Sequence, residues 1–219
     1  MKYLIICLLL LTIKGSAQDL KDFIPEKGFE FVEQAEGDLD KDGVSEIVYA
    51  YNTTHKTVDF GYDRVLYICK KINGKVKLWK KNTTVLWKSE DYGFKYDEGM
   101  AFEMSVKNNT LIIKQTFNGN SRHRSSYKSI YRYQNGDWYL IGATTNDYDT
   151  CEYDFQYDIN FSIKKVNVAE TYGDCDEGKK IPEDRIYSFS YPFKLQKMDG
   201  FYPRKTAVEI PKYKFTLVY

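Results

Sequence analysis

The chain reads as an all-β protein: an antiparallel meander of hairpins forming a sandwich, a barrel or a partial propeller-like sheet. Three observations predict this. The structured stretches are dominated by Tyr, Phe, Val, Ile and Thr, with 20 Tyr and 13 Phe in 219 residues, and such residues suit a pleated, half-buried surface. Short alternating or apolar runs are joined by tight polar turns, twice through Asn-Gly, which supplies the two positive-φ positions of a primed hairpin turn. A helical spacing of apolar residues is hard to find along the chain.

The elements follow in order. Ile47–Tyr51 is strand-like and comes directly after an acidic loop. Arg64–Ile72, Asn73-Gly74 and Lys75–Lys81 form a hairpin pattern, as do Lys128–Gln134, Asn135-Gly136 and Asp137–Thr144. Met100–Lys107 and Thr110–Phe117 form a third around Asn108-Asn109. Ile159–Ala169 and Ile186–Lys197 are further strand regions, the second interrupted at Pro192, and Tyr213–Tyr219 is a terminal strand. No linker rich in Pro, Gly or Ser divides the chain, so residues 18–219 are expected to form one domain.

The first seventeen residues are excluded from that domain. Lys2 precedes the apolar run Tyr3–Ile13, and Gly15 and Ala17 are the small residues of a signal-peptidase site. This pattern predicts a secretory leader, too short for a resident spanning helix, with Gln18 as the mature start. Without Lys2 and Lys14, 30 basic residues face 31 acidic ones, a charge of −1. A near-neutral chain carries no electrostatic footprint for nucleic acid. The expected location is secreted or periplasmic, with no transmembrane helix.

Export decides how the cysteines read. Cys151 and Cys175 lie in polar, acidic loop sequence, whereas Cys69 lies within the strand pattern Arg64–Ile72. In an oxidising compartment two of the three mature cysteines pair. Cys151 is therefore paired with Cys175, and Cys69 is read as a buried, inert thiol.

The strongest motif is Gly37-Asp38-Leu39-Asp40-Lys41-Asp42-Gly43-Val44-Ser45-Glu46. Acids at alternate positions point their oxygens toward one centre when the loop curls, and Gly43 permits the sharp turn. Asp38, Asp40, Asp42, the Val44 carbonyl and Glu46 make a hard, flexible oxygen set that suits Ca²⁺ better than Mg²⁺. The helix–loop–helix version needs a bidentate Glu at the twelfth loop position, where this chain has Tyr49. Residues Gly37–Tyr51 resemble the calcium loop of FG-GAP and VCBS-type repeats, in which the loop leads straight into a strand. The resemblance implies a structural metal and ligands at the five positions named, with Glu46 standing where Asp is more usual. Tyr127–Gly142 is similar to a segment of secreted proteins of Bacteroidota that carry one such loop. A propeller would repeat the loop blade by blade, and here it occurs once.

Enzyme signatures are missing: no Gly-x-Ser-x-Gly, His-Glu-x-x-His, Walker loop or dinucleotide fingerprint occurs. The two histidines, His55 and His123, lie in polar loop sequence. Arg122, His123 and Arg124 form a basic cluster with anion-clamp chemistry, although an exposed hairpin connection explains it as well. Asp147, Asp149, Glu152 and Asp154 flank Cys151, and Asp174, Asp176 and Glu177 flank Cys175, so a disulfide would draw these acids together. Trp79, Trp87, Trp138 and the tyrosines are candidates for a sugar- or protein-binding face, or for core. The expected function is an exported binding or interaction module with a structural Ca²⁺ and a protein or glycan ligand. The competing readings are a secreted hydrolase using loop carboxylates and a small outer-membrane β-barrel.

Overall fold

A computed structural model describes residues 20–57, 61–93, 101–173, 175, 178 and 180–219. The expected leader Met1–Ala17, Gln18, Met100, and the acids Asp174, Asp176 and Glu177 lie outside the described residues. The strands form two antiparallel meanders. The first comprises β1 (Glu30–Gly37), β2 (Glu46–Lys56), β3 (Tyr62–Ile72) and β4 (Lys75–Asn82), in that order across the sheet. The second comprises β5 (Phe102–Lys107), β6 (Thr110–Asn118), β7 (His123–Gln134), β8 (Asp137–Asp149), β9 (Tyr153–Asn160), β10 (Lys165–Tyr172) and β11 (Arg185–Ser190). Its order runs from β11 to β5, with β12 (Gln196–Lys197) set against Leu140 and Tyr139 at the start of β8. β13 (Ala207–Ile210) and β14 (Phe215–Val218) form a small hairpin around the 3₁₀ turn Pro211–Tyr213.

Of the forms that the sequence allowed, the structure is the open, two-sheet one. The end strands β5 and β11 do not pair with each other, so the larger sheet closes no barrel. Among the described residues no helix is long and apolar enough to cross a membrane.

The three predicted turns sit where the backbone demands them. Asn73 and Gly74 have φ of 51° and 74°, Asn135 and Gly136 of 52° and 80°, Asn108 and Asn109 of 52° and 56°. These left-handed conformations match the twist of the flanking strands and explain why Asn and Gly occupy them. One expectation is corrected: Ile159–Ala169 is not one strand. The chain reverses between Asn160 and Lys165, with Lys164 at φ 56°, and β9 and β10 pair as a hairpin. Phe161 faces the core at that reversal, which makes the run look continuous in sequence. The break near Pro192 separates β11 from β12, and Tyr213 belongs to the 3₁₀ turn rather than to the last strand.

Period-two alternation places the core. In the first sheet Val48, Ala50, Leu66 and Ile68 face the second sheet and join Leu111, Ile113, Tyr131, Leu140, Ile159 and Val166 in one cluster. The alternate residues Tyr51, Val65, Tyr67 and Cys69 form a second cluster on the far face, with Phe23 and Phe29 against it. Phe23 is drawn there by its ring contacts with Tyr49 and Tyr67 at 5.3 and 5.1 Å and by a backbone bond from its N–H to the Val76 carbonyl of 2.9 Å. Cys69 is thus covered on both sides of its sheet. Burial pushes its thiol up to about 12, so it stays protonated and unreactive at neutral pH.

Candidate metal centre

The acidic loop connects β1 to β2 and is held by both sheets. Gly37 ends β1 where β5 crosses it: a Cβ there would stand 2.6 Å from Val106 Cγ1, so only Gly allows the approach. Leu39 is 1% exposed and anchors the loop in the main core. The Asp38 carbonyl accepts from Asn109 Nδ2 at 2.8 Å, which ties the loop to the β5–β6 turn.

Between these anchors the chain curls through local side-chain bonds. Asp38 accepts from the Lys41 N–H at 2.6 Å and the Gly43 N–H at 3.2 Å. Asp40 accepts from the Asp42 N–H at 3.3 Å, and Asp42 accepts from the Val44 N–H at 2.8 Å. Lys41 and Gly43 have φ of 70° and 85°; no atom would meet a Cβ on Gly43, so its glycine answers to conformation and not to space. The result brings carboxylate oxygens of Asp38, Asp40 and Asp42 within 4.8 Å of one another.

Glu46 closes the loop from beneath. It opens β2, is 1% exposed, and its Oε2 accepts from the Leu39 N–H at 2.7 Å. Burial pushes its carboxyl up to about 7, offset in part by that hydrogen bond, and the nearby Asp40 and Asp42 charges add to the rise. Val44 turns its side chain outward, 45% exposed, as a residue offering only its carbonyl can.

The sequence reading missed the cation already present. Lys70, on β3, donates to Asp40 Oδ2 and lies 3.5 Å from Asp42 Oδ2 and 3.8 Å from Glu46 Oε1, with 17% of its side chain exposed. Burial alone would lower the Lys70 ammonium, but the Asp40 hydrogen bond and the fields of Asp40, Glu46 and Asp42 outweigh it and raise the group above its ordinary value. Its Nζ also lies 4.4 Å from the Trp79 ring centre, and Trp79 in turn packs on Tyr133 and Trp138. Nothing in the spacing of Cys69-Lys70-Lys71 marks Lys70 as a partner of the loop; only the β2–β3 register, with Ile47 opposite Cys69, places it there.

The structure gathers three of the expected ligands, Asp38, Asp40 and Asp42, into a group that could hold a metal ion, and Glu46 is not a member of it. Asp38, Asp40 and Asp42 set three carboxylates against the Lys70 ammonium, a surplus of two negative charges, with the buried Glu46 carboxyl beside them. Hard oxygens on a curled loop match Ca²⁺.

The second acid-rich region is organised otherwise. Cys151 and Cys175 are bonded, with Cα atoms 5.2 Å apart. Asp149, 2% exposed, accepts from Arg122 Nη2 at 2.9 Å and from the Cys151 and Glu152 N–H groups at 2.9 and 3.0 Å. His123 Nε2 lies 2.9 Å from its other oxygen, a close contact without hydrogen-bond geometry. The Arg122 hydrogen bond, ahead of the opposing effect of desolvation, holds the Asp149 carboxyl down at about 2. Arg122 and His123 are therefore the partners of an internal carboxylate. Asp147 accepts from Ser125 Oγ at 3.0 Å, and Asp154 accepts from Asn146. Among the described residues these acids do not gather as the Asp38 group does.

Other candidates find structural places. His55 is exposed and pairs with Asp63 at 2.8 Å. Trp87 and Trp138 are core residues, 6% and 2% exposed. No protein-family model, curated protein or solved structure matches the chain.

Proposed function

We propose that the chain is an exported β-sheet binding module whose Asp38–Glu46 loop holds a structural Ca²⁺ through Asp38, Asp40, Asp42, the Val44 carbonyl and Glu46. The observation that carries this reading is the convergence of three aspartates within 4.8 Å beside a buried glutamate, with Lys70 as the one ammonium paired to them among the described residues. Bringing like charges together is unfavourable unless a cation compensates them. One ammonium leaves the cluster under-neutralised. On this reading Lys70 neutralises Asp40 in the metal-free loop and moves off it when Ca²⁺ binds.

A structural role follows from the position. The loop closes the β1–β2 hairpin, is pinned to the core by Leu39 and touches the β5–β6 turn through Asn109. An ion there would brace the junction of the two sheets. Export is supported by the Met1–Ala17 pattern and by the Cys151–Cys175 bond, since such bonds persist in oxidising compartments.

The test is a thermal titration. Because the unfolded chain cannot hold the acids together, Ca²⁺ stabilises the native state by mass action, by about 2.7 kcal/mol at a hundred times the dissociation constant. Extracellular sites of this kind bind at about 10⁻⁴–10⁻³ M, so the titration runs to millimolar ion. Asp40→Ala is expected to remove most of the response. A Tm indifferent to both EDTA and millimolar Ca²⁺ would leave the loop a salt-bridged turn. N-terminal sequencing of secreted material is expected to begin at Gln18, and a start at Met1 would refute export through this leader.

A further inference from the structure

We propose that the open face of the second sheet, across β5 to β9, binds an anionic oligosaccharide, with Lys128 and Arg124 receiving its acid groups. The proposal rests on the reading of the chain as a binding module and supplies the ligand class.

The register lays side chains on this face in three rungs. The first is Glu103, Lys114, Lys128, Thr144 and Asp158; the second is Thr116, Ser126, Asn146 and Gln156; the third is Asn118, Arg124, Tyr148 and Asp154. The opposite face of the same strands carries Leu111, Ile113, Tyr131, Ala143 and Ile159 into the core. Between Ile130 and Tyr131 the register skips Ile141, a bulge on β8 of the kind that bends a strand. The outer face encloses a basin of about 600 Å³, and no apolar or aromatic side chain lines it. That volume falls in the range of about 300–1,000 Å³ typical of ligand sites.

A solvent-facing sheet is polar in any case. What sets this one apart is the order of its charges. Lys114 and Lys128 are direct cross-strand partners, an arrangement that destabilises a sheet. Glu103 neutralises Lys114 at 2.9 Å, but Lys128 has no ion-pair partner among the described residues. Two further acids share the face without an ion pair to Lys128 or Arg124 among the described residues: Asp158 accepts from Thr144 Oγ1 at 2.8 Å and Asp154 accepts from Asn146, neutral donors that leave both carboxylate charges in place. Arg124, in the third rung, has among the described residues only the ring of Tyr148, 5.6 Å away.

Two unpaired cations therefore stand four residues apart on one strand, about 13 Å at the rise of an extended chain. Between them lies a neutral row of hydroxyls and amides, Thr116, Ser126, Asn146 and Gln156. Along β7 the order Lys128, Ser126, Arg124 is cation, hydroxyl, cation, which matches a chain that carries acid groups at intervals and hydroxyls between them. An acidic peptide fits less well. The central strands of the floor, β6 to β9, are paired on both sides and leave only the end strand β5 with a free edge, and the basin has no apolar pocket for side chains.

The experiment is calorimetric titration of the mature chain, in low salt and millimolar Ca²⁺, with a short oligogalacturonate as probe. The same oligosaccharide with its carboxylates reduced to alcohols and an oligoglutamate serve as comparators. Binding of the acidic sugar and not of its reduced form is expected, weakening as salt screens the charges. Lys128→Gln and Arg124→Gln should each lower affinity about tenfold, the loss of one charge-assisted hydrogen bond, with Tm unchanged or raised in Lys128→Gln as the Lys114 repulsion goes. No heat with the acidic sugar, equal binding of the reduced form, or full affinity in the double variant would overturn the proposal. Tighter binding of oligoglutamate would overturn it in favour of an acidic peptide. A flat calcium titration with sugar binding intact counts against the metal loop alone. A calcium response with no sugar binding counts against the basin alone.

Discussion

Two acid-rich regions, the Asp38–Glu46 loop and the strand ends around Cys151, look alike in sequence and differ in structure. Around Cys151 every described acid for which a partner has been named has its own: Asp149 holds Arg122 and two backbone N–H groups, Asp147 holds Ser125, and Asp154 holds Asn146. In the Asp38 loop the acids also take backbone N–H groups, but those bonds curl the chain so that a carboxylate oxygen of each of Asp38, Asp40 and Asp42 lies within 4.8 Å of the others. An acidic run becomes a candidate cation site when its internal hydrogen bonds converge the carboxylates rather than spend them separately. The disulfide, expected to draw acids together, joins a region in which the buried Asp149 carboxylate is already paired with Arg122.

Four experiments sharpen or break this contrast. The largest effect belongs to the crosslink. Replacing Cys151 and Cys175 by Ser releases a loop of 24 residues, and the chain-entropy model gives a loss of about 3.5 kcal/mol. Denaturant melts in oxidising buffer should show that loss, and reductant should bring the wild type to the level of the variant. Calcium should act equally on both proteins, since the second region holds no ion on this reading.

Lys70→Met tests the first region directly. Without Ca²⁺ it leaves Asp40 and Glu46 uncompensated, at a cost of about 2 kcal/mol, below the value for a fully buried pair because Asp42 is open to water. Millimolar Ca²⁺ should narrow the gap to wild type and the apparent affinity should rise. A cost that stays the same with and without the ion would mean that Lys70 and the ion do not share the site.

Gly43→Ala should cost about 1 kcal/mol, because Ala is strained at a left-handed φ. It should also weaken the calcium response by uncurling the loop. An alanine variant as stable and as calcium-responsive as wild type would remove Gly43 from the argument.

The smallest effect is confined to acid. The Asp149 carboxyl sits at about 2 in the folded chain against an ordinary 3.8. A carboxyl lowered on folding adds stability that is fully present above its unfolded value. That stability is lost as pH falls from about 4 to about 2, where the unfolded chain takes up the proton first. Asp149→Asn should flatten this part of the stability profile and leave the rest of its pH dependence unchanged. An unaltered acid limb would show that Arg122 does not hold the carboxyl down.

Local chemistry was legible along the chain wherever it acts over a few residues. The Asn73-Gly74 and Asn135-Gly136 turns follow from backbone sterics, the pairing of Cys151 with Cys175 from loop context, and the curl of the acidic loop from acids at alternate positions before Gly43. The Ile159–Ala169 run was misread because Phe161 stays buried through the reversal, so hydrophobicity continued where the strand did not.

What tertiary structure alone decided is everything set by register. The β2–β3 pairing put Lys70 against Asp40, and the packing of Leu39 in the core brought the Asp38 loop over Glu46. Residues 114, 128 and 144 became one rung only when β6, β7 and β8 aligned. Register depends on which faces are buried against which partners, a long-range balance that a period of two leaves open to any even shift. By itself, then, the sequence determined the class of fold, its turns and the residues of its acidic loop, because those obey short-range sterics and charge spacing. The neighbours of that loop and the order of charges across the open sheet were decided by packing.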